Sequence, residues 1–303
     1  MFNALVAYYM FLGGAGAGVF VVCSLLSFFV PLSRVVSSRG GLAPSRQYRA
    51  LLGGGYAASI VLTVAGCLCL LADLGQPERA VYLFLRPSWS YISLGTFALA
   101  FQVVCAVALS FAWAGYLRGL KVWAVRAVQA FGLVVAFVVM VYAGLLLQSV
   151  KAVALWSSTS LMPFLFVVSS LVSGMAAFNA TACLLGCARP FSGLMTRLMA
   201  ADIVCMVIEA LLVVGLLVVA FKSGVAGRAS VEALLTGRLA GMFWLCMVLI
   251  GLLIPPTLEV LTAPRFSTGV MLTTSLMVLT GGFALRVCLI EAGVNPLVML
   301  GVG

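Results

Sequence analysis

The sequence contains no histidine, and only seven of its 303 residues are acidic. The missing histidine excludes a histidine-held haem, because that side chain normally supplies the axial ligand for b-type haem inside a membrane helix bundle. The shortage of charge excludes a soluble fold. Charged residues make up 8% of the sequence, against roughly a quarter in a soluble domain. Polar segments long enough to form a separate soluble domain are lacking as well. The amino-terminal apolar run, Leu5 to Val30, lacks the basic region that precedes a secretory signal and is too long for one, so it reads as a retained first helix.

What is present is apolar. Hydrophobic residues account for 64% of the sequence and mean hydropathy is +1.26, so the solvent for most side chains is lipid. Polar breaks divide the sequence into eight runs, near 4–30, 50–72, 91–116, 122–147, 159–187, 197–221, 238–262 and 268–291. A helix needs about 20 residues to cross the hydrocarbon core, and these runs are far longer than barrel strands. Only helices and closed barrels satisfy their own backbone in lipid. The expected fold is therefore an all-α membrane protein of eight transmembrane helices, forming one integral membrane domain over 1–303.

The basic residues orient it. Arg34, Arg39, Arg46, Arg49, Arg118, Lys121, Arg126, Arg189, Arg197 and Arg265 follow the odd-numbered spans. On the opposite side lie Arg79, Arg86, Lys151, Lys222, Arg228 and Arg238, while Arg286 falls within the eighth span. Lysine and arginine accumulate on the cytoplasmic side, which puts both termini outside, on the periplasmic side. The net charge of +10 is scattered over loops rather than gathered on a face, as suits anionic lipid and not nucleic acid.

Two local patterns read as packing. The nine cysteines lie almost entirely inside apolar runs, and Cys183 and Cys187 share a helix face without a second pair at metal-ligand spacing, so no metal is expected. Gly13-Gly-Ala-Gly-Ala-Gly18 has the look of a dinucleotide fingerprint, but no strand precedes it. Within an apolar helix, Gly13, Gly14 and Gly18 make a small-xxx-small face for close helix packing. Elsewhere, Pro255-Pro256 are placed to break the seventh span.

The densest polar stretch is Leu71-Ala-Asp-Leu-Gly-Gln-Pro-Glu-Arg-Ala80, continuing Val-Tyr-Leu-Phe-Leu-Arg-Pro87. Taken alone it is an interfacial turn with a Glu78–Arg79 pair and an aromatic belt of Tyr82, Trp89 and Tyr91. Together with other segments it resembles the NrfD/PsrC family, the membrane subunits of polysulfide-reductase-type respiratory complexes. Tyr9-Met-Phe-Leu-Gly-Gly-Ala-Gly-Ala-Gly18 is similar to that family's first helix. Val141-Tyr-Ala-Gly-Leu-Leu-Leu-Gln148, Met162-Pro-Phe-Leu-Phe166 and Ser173-Gly-Met175 are similar to helices four and five. Glu209, Gly251-Leu-Leu-Ile-Pro-Pro-Thr-Leu-Glu259 and Gly281-Gly-Phe-Ala-Leu-Arg286 follow in order in the last three.

The resemblance implies two four-helix bundles, here 1–148 and 149–303, a site for a quinone (menaquinone or ubiquinone) and no haem. It also implies a ferredoxin-like iron–sulfur subunit docked on the outer face, with a molybdopterin catalytic subunit beyond it, in a bacterial or archaeal cytoplasmic membrane. The chain would not be catalytic by itself. Quinol oxidation releases two electrons and two protons, so a site needs hydrogen-bond partners at the ring oxygens and a group to take protons. Helix direction brings Tyr8, Tyr9, Tyr142, Asp73 and Arg286 to similar depth near the outer side. Tyr8, Tyr9, Tyr142 and Arg286 are the expected quinone-binding residues, Tyr142 foremost because its surrounding motif matches. Aromatic-belt anchoring is an equal alternative for Tyr8 or Tyr9. Some family members carry a histidine on helix one near the quinone, which this sequence does not, so Asp73 and Glu78 become the proton-acceptor candidates. Asp202, Glu209 and Glu259 lie deeper, where a charge costs about 2.5–3.5 kcal/mol on insertion scales. They are candidates for a proton pathway or, alternatively, for hydrogen-bonded packing. A secondary transporter and a purely structural anchor without a working quinone site are the competing functions.

Overall fold

The computed structural model describes residues 4–30, 42, 44–73, 91–116, 120–150, 153–157, 159–262 and 267–299. Over these residues the protein is helical, and eight helices are long and apolar enough to cross a membrane. They are α1 (Ala4–Phe29), α2 (Arg46–Tyr48, Arg49–Gly53 and Gly54–Asp73 in succession), α3 (Tyr91–Ala114), α4 (Val122–Ser149), α6 (Leu161–Leu184), α7 (Ser192–Lys222), α9 (Met242–Leu253 and Ile254–Thr262) and α10 (Thr268–Met299). This is a multi-pass membrane protein, and the spans lie where the hydropathy of the sequence puts them. Two short helices joining spans, α5 (Ala154–Ser157) and α8 (Val225–Leu235), were not expected. Gly224, at φ 112°, makes the turn from α7 into α8, a conformation that side chains with a Cβ rarely adopt.

Helix α9 is not broken at its prolines. It runs as a π-helix from Met242 to Leu253 and tightens to an α-helix at Ile254, immediately before Pro255-Pro256. Proline cannot donate to the preceding turn, so the ladder changes register there and the span continues.

Helices α1 and α6 occupy the centre. α1 packs on α2, α4, α6 and α10, and α6 packs on α1, α4, α7 and α10. α3 completes one side against α2 and α4, and α9 packs on α10. In lipid no hydrophobic drive pushes helices together, so close van der Waals contact through small residues does the work. A Cβ on Gly18 would lie 2.8 Å from Gly174 Cα, and one on Gly174 would lie 2.7 Å from the Val19 nitrogen. At this crossing the α1 and α6 backbones touch. Gly13 and Gly66 bring α1 onto α2, the Gly13 nitrogen being 3.0 Å from a Cβ built on Gly66. A third backbone contact, Gly251 against Gly281, joins α9 to α10.

Candidate functional site

The polar residues of the spans fall into two groups. The first gathers at the end of the molecule where α1 begins and α2 and α4 finish. Tyr9 of α1 and Tyr142 of α4 are both buried. They lie within electrostatic range of one another, and Tyr9 is within range of Asp73, the last residue of α2. Three helices therefore bring two phenols and a carboxylate to the same end of the spans, within electrostatic range. Room for the Tyr142 ring comes from Gly95 of α3, where any Cβ would run into that ring. Tyr8 does not join them. One residue along the helix is about 100° of rotation, so Tyr8 is half-exposed and its ring packs on Phe283, 4.7 Å between centroids. Glu78 lies outside the described residues, as do Arg79 and Arg86.

The second group runs through α6, α7, α9 and α10. Arg286 is buried at 1% exposure. Its Nη2 donates to the Phe166 carbonyl (3.4 Å) and to Ser170 Oγ (3.3 Å), and the guanidinium sits over the Phe166 ring, 4.0 Å from its centroid. The seat exists because Gly14 of α1 has no side chain. A Cβ there would lie 2.6 Å from Ser170 Oγ and 3.8 Å from Arg286 Nη2. Glu209 of α7 is buried and in electrostatic range of Arg286. It borders a cleft walled by Val172, Met247, Gly251, Gly281 and Gly282, with room for about one water molecule. Asp202, also buried, interacts in turn with Glu209 and with Glu259 of α9. The order is thus Arg286, Glu209, Asp202, Glu259, with three elements contributing titratable groups to one line.

Among the described residues, Asp202 Oδ1, Glu259 Oε2, and Arg286 Nε and Nη1 have no hydrogen-bond partner in the protein. Buried polar groups are rarely left unpaired, and these four atoms take no partner from the protein. Seven residues separate Asp202 from Glu209, two turns on one face, which made their alignment legible in advance. The seat of Arg286 was not. Ser170 stands in an apolar run without a pattern to single it out, and Gly95 gives no local sign that it faces Tyr142. Among the described residues no cluster of three or more cysteine, aspartate or glutamate side chains is arranged to hold a metal.

Eight helices long and apolar enough to cross a membrane, with phenols and a carboxylate at one end and buried carboxylates and an arginine within the spans, define a polytopic membrane protein with polar groups at membrane depth. The family comparison narrows it. The family model "Polysulphide reductase, NrfD" matches residues 1–297, and the protein belongs to that family. It is similar to the C subunit of polysulfide reductase from Wolinella succinogenes, 27% identical over 317 residues, which covers 95% of the present sequence and 92% of that protein. It is accordingly a multi-pass membrane protein of the NrfD family.

Proposed function

We propose that the protein is the quinone-interacting membrane anchor of a multi-subunit respiratory oxidoreductase, passing electrons between the quinone pool and a docked iron–sulfur subunit. The observation that carries this reading is the convergence of Tyr9, Tyr142 and Asp73 from three helices at one end of the spans. The donor set suits a quinone: phenol hydroxyls hydrogen-bond ring oxygens, and a carboxylate at the membrane boundary takes protons as electrons leave. In this reading the proton acceptor is Asp73 or, alternatively, Glu78. Tyr8 is the weaker member of the quinone-binding set, since its ring is engaged with Phe283. Arg286, also in the expected set, is seated on α6 by Phe166 and Ser170, across α1 from the phenols.

In this reading 1–148 and 149–303 form two four-helix bundles. The end that carries Asp73 faces outward in a bacterial or archaeal cytoplasmic membrane, receiving a ferredoxin-like subunit and, beyond it, a molybdopterin subunit. Glu259, Asp202 and Glu209 form a proton path from the opposite face. The polar line with unpaired oxygens supports that role, and a purely structural anchor has no need of it.

Two variants of the intact complex test the reading. Tyr142→Phe is expected to lower quinol oxidation about tenfold, the value of one hydrogen bond of roughly 1.4 kcal/mol, with assembly unchanged. Glu209→Gln is expected to keep quinone binding while lowering the membrane potential generated per electron in proteoliposomes. Full turnover in the first variant would remove Tyr142 from the site, and unchanged coupling in the second would end the proton-path role.

A further inference from the structure

At the end of the molecule opposite Asp73, a cavity of about 150 Å³ opens between the last turn of α1, the first turns of α2 and the start of α7. Its walls are apolar: Leu26, Leu51, Leu52, Phe191 and Leu194, with Tyr48 at one side. The Tyr48 ring packs on Phe191, 5.0 Å between centroids, which joins the start of α2 to the segment that leads into α7. Three exposed arginines flank these lining residues in sequence. Arg46 is two residues before Tyr48, Arg189 two before Phe191, and Arg197 one turn beyond Leu194 on the same face of α7. None of the three is in an ion pair among the described residues, whose salt bridge, Arg238–Glu291, lies at the other end of the molecule. Carboxylates cannot neutralise this face. Asp202 and Glu259 are buried, and the exposed acids among the described residues, Glu232 and Glu291, lie at the other end.

An apolar slot whose lining residues have three exposed, uncompensated arginines as near sequence neighbours matches one ligand chemistry, a run of methylenes ending in a phosphodiester. We propose that this cavity takes up a short stretch of one acyl tail of an anionic phospholipid, the rest of the tail lying in the bilayer, with the headgroup phosphate held by Arg46, Arg189 and Arg197. A quinone tail would fill the slot but has no charge for the arginines, and a free phosphate would meet the arginines but leave the slot empty. The bound lipid adds a further tie between α1, α2 and α7, beside the Tyr48–Phe191 contact. Basic pockets between helices attract anionic headgroups with roughly a fivefold gain per arginine.

The test is native mass spectrometry of the purified, delipidated complex titrated with phosphatidylglycerol or phosphatidylcholine of matched acyl length. The wild-type complex is expected to retain one phosphatidylglycerol at concentrations where phosphatidylcholine is lost. Arg46→Gln, Arg189→Gln and Arg197→Gln combined are expected to weaken that adduct on the order of a hundredfold, while Lys222→Gln at the opposite end leaves it unchanged. Leu194→Trp, which fills the slot and keeps every arginine, is expected to remove the same adduct. All three substituted arginines are exposed, so intact assembly in the same spectra separates lost binding from misfolding. Equal retention of the two lipids, an undiminished adduct in the triple variant, or displacement of the lipid by inorganic phosphate alone would overturn the proposal.

Discussion

Replacing Gly174 with leucine is expected to remove the folded protein from the membrane. The Cβ alone would press into the α1 backbone at Gly18 and Val19, and backbone does not step aside as flexible side chains do. Overpacking a core costs about 1–3 kcal/mol and more where nothing yields. Here the affected crossing joins the two central helices, which between them touch most of the other spans. The measurement is yield and thermal stability of the detergent-solubilised protein, with Gly193→Leu as the comparison, since a Cβ at Gly193 meets nothing within 4 Å. A Gly174→Leu protein as stable as wild type would mean that α1 and α6 do not cross through these glycines.

The second large effect is expected at Arg286. Arg286→Met keeps much of the side chain's volume and its contact with Phe166 but withdraws the positive charge from Glu209. The variant strips the Phe166 carbonyl and Ser170 Oγ of their buried donor and leaves Glu209 without a cation in electrostatic range, a loss on the order of 1–3 kcal/mol. Adding Glu209→Gln to the same protein removes the carboxylate that faced the lost cation, so the double variant is expected to recover part of the loss. Thermal denaturation of the four proteins, wild type, two single variants and the double, closes the cycle. Strictly additive losses would show that the two residues act independently, and Arg286 would then be held only by Phe166 and Ser170.

These two effects differ in how far they were legible beforehand. The glycines of α1 announced a close approach because four-residue spacing of small residues within an apolar helix has one good use. Their partner was not announced. Gly174 is one glycine among thirty-one, and only the placement of α6 beside α1 sets it opposite Gly18. Likewise, charges within apolar runs marked Arg286 and Glu209 as residues needing compensation, but not that α7 and α10 bring them within electrostatic range of each other. Tyr8 and Tyr9 were indistinguishable as adjacent phenols. The rotation of α1 separated them, turning one toward Phe283 and the other toward Tyr142 and Asp73.

The sequence by itself determined that the protein is helical, that eight segments cross a membrane, and where those segments lie. Those properties follow from hydropathy and from the need of each backbone group for a partner in lipid, both of which act within a single segment. It also determined which polar residues lie at membrane depth, because a charge in an apolar run cannot be hidden by any fold. Which helices touch, which glycine meets which, and which carboxylate faces which cation depended on the tertiary structure. Packing between spans is a matter of shape and rotation about each helix axis, and where a span is apolar on every face the pattern of residues along it does not disclose that rotation.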